Sequence, residues 1–262
     1  MKTPLFSLKG EKIKEIELPE IFDEDIRNEL IIRGFLAEQS LTYQPKGVFK
    51  LAGFQTSAEY RGRKEAYGSI KNRGISRLPR EKLPKGKFGK VRIVPFSVKG
   101  RRAHPPQPDK VLVEKINNKE YNKSMRSAIA ATAKQDYVKA RGHLFSGLAL
   151  PIVIENKFEE IKKTKDVVNV LNSLGLTNEL ERGKKTKQRS GTRKRQSDYK
   201  EKKSALIVVG EDKGIIRSAR NIAGVDAVVA NNVKINLLAP GAKPGRLVIF
   251  TENAISKLNI WN

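Results

Sequence analysis

The segment from Pro45 to Pro106 most constrains how this chain can fold, because it cannot form a hydrophobic core of its own. It contains 17 Lys/Arg against 3 Glu, with 8 Gly and 6 Pro. Between residues 55 and 92 only six residues are Leu, Ile, Val or Phe, too few to offset the entropy of ordering the chain. We therefore expect residues 45–106 to form a long extended basic loop that is mobile in the free protein and ordered by a bound polyanion.

A second basic segment, Gly183–Lys203, adds 10 Lys/Arg against 2 acids. Together the two segments hold +22 of the formal net charge of +25 in 83 of the 262 residues. Positive charge segregated in this way predicts binding to a nucleic acid, although a charge run can also be a solvated tail or a localisation signal. Aromatic side chains that could stack on unpaired RNA bases are interleaved with the first segment: Phe49, Phe54, Tyr60, Tyr67, Phe88 and Phe96.

The candidate RNA-binding residues are the Lys and Arg side chains of these two segments. Arginine is preferred, because a planar guanidinium bridges phosphates better than an ammonium group does. In the first segment the candidates are Lys46, Lys50, Arg61, Arg63, Lys64, Lys71, Arg73, Arg77, Arg80, Lys82, Lys85, Lys87, Lys90, Arg92, Arg101 and Arg102. In the second segment they are Lys184, Lys185, Lys187, Arg189, Arg193, Lys194 and Arg195.

The other 200 residues, 1–44 and 107–262, contain every long apolar stretch and suffice for a single globular domain. Apolar patterns predict strands at Leu5–Leu8, Ile13–Leu18, Val111–Ile116, Leu148–Ile154, Ala205–Val209, Val225–Ala230 and Leu247–Phe250. Helices are predicted at Asp23–Gln39, Asn118–Ala133, Phe158–Lys163, Val167–Leu174 and Gly214–Ala223, and after a capping Thr251. Strands that alternate with helices predict a three-layer α/β/α domain with a mainly parallel sheet, interrupted by the basic loop.

Cysteine and histidine usage limits the chemistry available to the chain. It has no Cys, which excludes disulfides, thiol nucleophiles and Cys-ligated zinc. Its two histidines, His104 and His143, have no partner at metal-ligand spacing, so we expect neither a metal nor a cofactor. No apolar run reaches 18 residues and Met1–Leu5 lacks a signal-peptide core, so we expect a cytoplasmic protein with no membrane partner.

One alternative is an enzyme, such as an RNA-modifying methyltransferase with an RNA-binding insert. Leu206–Gly214 resembles the start of a nucleotide-binding βα turn but lacks the second and third glycines of G-x-G-x-x-G. Two acid pairs, Glu159/Glu160 and Glu211/Asp212, are interpreted as solvated helix ends rather than catalytic carboxylates. The sequence therefore favours a protein that is not an enzyme.

Several motifs occur in the order typical of one protein family. In the basic loop they are Gly53–Glu59 (GFQTSAE) and Ser76–Arg80 (SRLPR). Downstream they are Ser127–Thr132 (SAIAAT), Arg220–Asp226 (RNIAGVD), Leu237–Gly241 (LLAPG) and Gly245–Thr251 (GRLVIFT). With these motifs the chain resembles the large-subunit ribosomal protein L-four (L4) family in its archaeal and eukaryotic form.

This resemblance implies a structural constituent of the large ribosomal subunit. It implies a globular α/β domain bound to large-subunit rRNA beside neighbouring ribosomal proteins, with the long loop reaching the nascent-peptide exit tunnel. On this resemblance, Glu59–Arg77 would lie nearest the loop tip and the nascent peptide. A non-ribosomal RNA-binding module is the remaining alternative.

Overall fold

A computed structural model describes residues 1–65, 67–145, 147–191 and 197–258. The chain separates into two compact units. The first, which we call the body, contains Met1–Thr42 and the described residues from Val113 onward. The second, which we call the insertion unit, is Tyr43–Leu112.

A mainly parallel sheet forms the centre of the body. Its strands are β1 (Lys2–Phe6), β2 (Lys12–Glu17), β5 (Ile152–Ile154), β8 (Leu206–Val209), β9 (Asp226–Val229) and β10 (Val248–Thr251). Within the described residues the order across the sheet is β2-β1-β5-β10-β8-β9, and β1 and β2 form an antiparallel hairpin at one edge. All other pairings in this sheet are parallel, which agrees with the predicted strand arrangement.

Alternate residues of the central strands enter two separate hydrophobic clusters, one on each face of the sheet. Val208 and Phe250 belong to the first cluster, whereas Ile207 and Ile249 belong to the second. This alternation follows from the two-residue period of a β-strand. The central strands are fully buried because both faces of the sheet are covered.

Helices cover each face. The first cluster includes residues of α1 (Asn28–Ser40), α2 (Asn118–Ala133), α7 (Ile235–Leu238) and α8 (Glu252–Lys257). The second includes residues of α3 (Gln135–Ala140), α4 (Thr164–Ser173), α5 (Thr177–Lys184) and α6 (Ile215–Ala219). The predicted three-layer α/β/α class is confirmed.

The predicted elements differ from the observed ones at particular positions. Helix α2 begins at the predicted residue, and Thr251 caps α8 by accepting a hydrogen bond from the Ala254 amide at 3.3 Å. The predicted strand Val111–Ile116 is wrong, because that segment has no assigned secondary structure and exposes 82% of Val111. The Asp23 cap is also wrong, because a short 3₁₀ helix, Glu20–Phe22, precedes Asp23 and α1 begins five residues later.

The insertion unit contains a small antiparallel hairpin formed by β3 (Arg80–Lys82) and β4 (Phe88–Val91). An isolated bridge joins Glu59 to Arg80, so a third segment lies along the hairpin. Among the described residues of this unit, Ile70 is the one fully buried apolar side chain. The prediction that this segment lacks regular structure is therefore wrong for the hairpin, whereas the small number of buried apolar residues agrees with its composition.

Candidate nucleic-acid interface

The two chain segments at the base of the insertion unit lie side by side. Gly53 has φ +85°, and a Cβ there would lie 2.6 Å from the Cα of Arg101. A residue with a side chain would therefore force the two segments apart. The Arg101 guanidinium lies over the Phe54 ring, 5.6 Å from its centroid, in a cation–π contact. This packing brings bases from both segments together.

Farther from the base, arginine side chains hold the hairpin of the insertion unit. Arg80 donates from Nη2 to Ser76 Oγ at 2.7 Å and from Nη1 to the Gly89 carbonyl at 3.4 Å. Arg92 donates from Nε to Glu81 Oε1 at 2.6 Å and from Nη1 to the Val98 carbonyl. Several donors of these two predicted RNA-binding residues are thus engaged within the unit.

Most bases of the insertion unit have no acidic partner. Glu59 pairs with Arg61 at 3.0 Å and with Lys82 at 2.6 Å, and Glu81 pairs with Arg92. Within the part of the chain that the structure describes, the other fourteen Lys and Arg of residues 45–106 form no salt bridge. The unit therefore presents strong uncompensated positive charge.

Exposure of the predicted residues follows the same division. Arg61, Lys71, Arg80 and Arg92 are half-buried. The exposed ones are Lys46, Lys50, Arg63, Lys64, Arg73, Arg77, Lys82, Lys85, Lys87, Lys90, Arg101 and Arg102. Lys99 is also exposed and was missed, although the density of bases around it was the available signal.

Aromatic rings of the insertion unit are accessible. Tyr67 is 94% exposed and Phe96 is 75% exposed, and Phe49, Phe54 and Tyr60 are also exposed. Phe88 is half-buried beneath the Arg73 guanidinium, which lies 5.5 Å from the ring centroid. Exposed rings beside unpaired cations can stack on unpaired bases.

The second basic segment belongs to the body and includes a short antiparallel hairpin. Its strands are β6 (Lys187–Gln188) and β7 (Tyr199–Lys200). Lys184, Lys185, Lys187 and Arg189 are exposed. The predicted residues Arg193, Lys194 and Arg195 lie outside the described residues.

A buried polar cluster that the sequence did not reveal lies beneath this segment. The Glu179 side chain is fully buried, and its carboxylate accepts hydrogen bonds from Arg182 at 2.6 Å and Ser204 at 3.0 Å. It also accepts from the Leu144 amide at 2.9 Å and contacts His143 Nδ1 at 2.7 Å. Arg182 in turn donates to the Lys203 carbonyl at 2.7 Å, which ties α5 to the end of the second basic segment.

These contacts determine the charge states of the cluster. Burial alone would raise the pKa of Glu179, but its hydrogen bonds from Arg182 and His143 lower that pKa to about 2. Burial lowers the pKa of His143, against the opposing effect of Glu179. A neutral His143 that donates from Nδ1 fits both shifts, and it also fits a buried Nε2 with no hydrogen-bond partner in the described structure.

Arg246 is a second buried cation of the body. It precedes β10 with no exposed surface, and its Nη2 lies 2.6 Å from Asp226 Oδ2. Its Nε donates to the Ser204 carbonyl at 2.8 Å, and its Nη1 donates to the Leu237 carbonyl at 3.0 Å. Arg246 thus joins three chain segments within the body, a role that its own sequence position gave no sign of.

One acid pair differs from its interpretation. Glu159 was interpreted as solvated, but it is fully buried and its Oε1 accepts from Thr251 Oγ1 at 2.6 Å and the Gly210 amide at 2.8 Å. It therefore joins the carboxyl ends of β8 and β10. Glu211 and Asp212 are exposed as expected. The Lys257 ammonium lies 2.9 Å from Glu211 and lowers the pKa of that carboxyl.

Two searches of the described residues were negative. They contain no group of His, Cys, Asp or Glu side chains arranged to hold a metal ion. None of their helices is long and apolar enough to cross a bilayer.

Comparison with known proteins places the chain. The model of the ribosomal protein L4/L1 family matches residues 16–260. The chain belongs to this family. The large ribosomal subunit protein uL4 of Archaeoglobus fulgidus is 44% identical to it, with 100% of this chain and 99% of the relative covered. The uL4 proteins of Methanocaldococcus jannaschii and Methanoculleus marisnigri are 44% and 46% identical, with 98% of both chains covered in each comparison.

Membership of the L4/L1 family sets aside the enzyme alternative, because the relatives are named as ribosomal proteins. The resemblance inferred from the motifs is confirmed. Two of those motifs form part of the body's core: Ser127–Thr132 is buried throughout in α2, and Gly245–Thr251 contains β10. They identify the family through packing rather than through surface chemistry.

Proposed function

We propose that this protein is a structural constituent of the large ribosomal subunit in the cytoplasm. The insertion unit binds large-subunit rRNA, with the second basic segment as an additional anchor, and the body contacts neighbouring ribosomal proteins. The observation that carries this proposal is the confinement of +22 of the +25 net charge to 83 residues. Family membership identifies the polyanion as the RNA of the large ribosomal subunit.

The contacts within the insertion unit support RNA as its ligand. Fourteen of its bases form no salt bridge in the described structure, so they repel one another until phosphates neutralise them. The cation–π contacts of Arg73 and Arg101 hold two guanidinium groups on aromatic rings. Arginines held in this way lose less conformational entropy when they bind phosphate.

The segment Glu59–Arg77 is proposed to lie at the nascent-peptide exit tunnel. Glu59 pairs with Arg61, and the Ile70 amide donates to the Arg61 carbonyl at 3.0 Å. These contacts close the segment into a compact turn rather than an open strand. Arg63, Lys64 and Tyr67 are exposed on this turn, so they are the first residues to test for contact with the nascent peptide.

Purification from cells at low and high salt, followed by identification of the associated RNA, tests the proposal. Large-subunit rRNA and co-sedimentation with large subunits are expected. Free non-ribosomal RNA in their place would favour the alternative, an RNA-binding module outside the ribosome.

Limited trypsin digestion tests which part of the chain binds the RNA. In the free protein, cleavage is expected first between residues 55 and 92, because this stretch has many exposed bases and little core. Protection should appear in assembled subunits. A segment that resists cleavage in the free protein would show that it is already ordered without RNA.

A further inference from the structure

A basic cleft in the body lies outside every predicted site except Lys187. It has a volume of about 610 Å³ and is bounded by the ends of α1 and α3, by α5, by the β6–β7 hairpin and by the turn from Pro240 to Lys243. Its basic lining residues are Arg141, Arg182, Lys187, Lys200, Lys202, Lys203 and Lys243. Among the described residues of the lining, Glu201 is the one acid.

Charge around this cleft is not balanced. Glu179 pairs with Arg182, and Asp226 pairs with both Lys203 and Arg246. The remaining basic lining residues form no salt bridge within the described part of the chain; they are Arg141, Lys187, Lys200, Lys202 and Lys243. Five cations therefore share the cleft with the single carboxylate of Glu201.

Arg141 shows that this charge is built into the fold. Its Nη2 donates to the Pro240 carbonyl at 2.7 Å, and its Nη1 donates to the Lys243 carbonyl. Burial, together with the nearby charges of Arg246 and Arg182, lowers the pKa of Arg141 to about 10. Neighbouring cations that disfavour the charged form are stabilised when an anion enters.

The lining indicates which anion fits. Phe35 is the one large apolar side chain among the described lining residues, so the cleft offers neither side-chain pockets for a peptide nor a platform for stacked bases. The cleft is also continuous with the second basic segment, which supplies Lys187 and Lys200–Lys203. Phosphates of an RNA backbone match these properties.

We propose that this cleft binds the backbone of an RNA strand through two or three phosphates. This inference rests on the proposed function and adds a site on the body, with Arg141, Lys200, Lys202 and Lys243 as binding residues. Recognition there is independent of base sequence, because phosphate contacts position an RNA without specifying it.

The test uses the full chain, large-subunit rRNA and two matched triple variants. The cleft variant carries Lys200→Ala, Lys202→Ala and Lys243→Ala. The control variant carries Lys9→Ala, Lys12→Ala and Lys165→Ala, which removes the same charge from exposed lysines that form no salt bridge in the described structure. All six side chains are exposed, so both variants should fold.

Affinity is measured at 50 and 200 mM salt. Losing two or three phosphate contacts reduces the log–log salt slope by about 1.4 to 2.7. Over this range the wild type should therefore lose about seven- to fortyfold more affinity than the cleft variant does. The control variant should keep the wild-type slope. Equal slopes for the two triple variants would overturn the inference and leave an acidic protein segment as the occupant to test.

Acylation of lysines in the bound and free chain gives a second readout. RNA should protect Lys200, Lys202 and Lys243 but leave Lys9, Lys12 and Lys165 reactive. If the whole chain fails to bind rRNA, the proposed function is wrong. If rRNA binds while the cleft lysines stay reactive, the proposed function stands and the cleft inference is wrong.

Discussion

The body and the insertion unit use charged side chains in opposite ways. The body buries charges and pairs them, as with Glu179 and Arg182 or Asp226 and Arg246. The insertion unit exposes its charges, leaves most of them unpaired and has Ile70 as its one fully buried apolar residue among those described. Stability and RNA affinity are therefore assigned to different parts of the same chain, and RNA supplies the interactions that the insertion unit lacks.

Deletion of Ala58–Ser76 with a short Gly/Ser linker should separate the two roles most strongly. With about eight phosphates neutralised, the intact chain has an expected salt slope of about −6 to −7 and loses about 10⁴ in affinity between 50 and 200 mM salt. The deletion removes five bases, so the loss should fall to about thirtyfold. Filter binding measures both.

The body should still fold in this variant, because shortening a loop changes its closure entropy by under about 1 kcal/mol. Circular dichroism and urea unfolding check this. An unfolded deletion variant would show that the insertion contributes to the core. Ribosomes that carry the variant should also respond abnormally to stalling peptides, and normal behaviour would contradict the placement of Glu59–Arg77 at the tunnel.

The same substitution in each region provides the next contrast. Ile249→Ala removes a fully buried side chain from the centre of the sheet and should lower the free energy of unfolding by about 2–5 kcal/mol. Ile70→Ala removes an equally large side chain from the insertion unit and should change the unfolding of the body by under about 0.5 kcal/mol. Urea unfolding measures both, and similar losses would mean that the two regions unfold as one unit.

Acid should destabilise the body through Glu179. Its folded pKa of about 2 lies below the unfolded value of about 4.3. The carboxylate therefore stabilises the fold above about pH 4.3, and this contribution, about 3 kcal/mol, is lost as the pH falls toward 2. Glu179→Gln should flatten the decline of stability between pH 5 and pH 2.5.

The matched control for that experiment is Glu59→Gln in the insertion unit. Glu59 is exposed, although hydrogen bonds from Lys82 and Arg61 lower its pKa. The stability of this variant should follow the wild-type pH curve. If Glu59→Gln flattens the curve as strongly as Glu179→Gln does, acid stability does not belong to the body alone.

The smallest effect is expected at the turn after β8. Both Glu211→Gln and Asp212→Asn change exposed carboxylates of the body, and they should leave subunit assembly and translation unchanged. Growth and polysome profiles measure this. Loss of an RNA modification in a stable variant would bring back the enzyme interpretation.

Local patterns were sufficient to predict much of the body. The small residues of Ser127–Ala133 predicted a helix packed closely on the sheet, and Thr251 predicted the start of α8, since both signals lie within one helical turn. The apolar pattern at Val111–Ile116 failed, because alternation alone cannot show whether a partner strand is available.

Long-range contacts account for what the sequence could not show. Glu159 is buried because Thr251, 92 residues away, and the Gly210 amide reach its carboxylate. Arg246 is buried because Asp226 and the carbonyls of Ser204 and Leu237 surround it. The basic cleft likewise combines Arg141 and Lys243 with the β6–β7 hairpin, and such a combination exists only after folding.

The order of elements along the chain has a consequence for the newly synthesised protein. Helix α1 precedes the insertion, whereas α2, against which it packs, and the central strand β10 follow it. At about 5–20 residues per second, the 70 residues of the insertion unit take roughly 4–14 s to translate. Throughout that interval its cations emerge while the body still lacks the elements it needs to close. A nascent chain can therefore capture the wrong RNA or meet a protease during synthesis, however stable the finished body is.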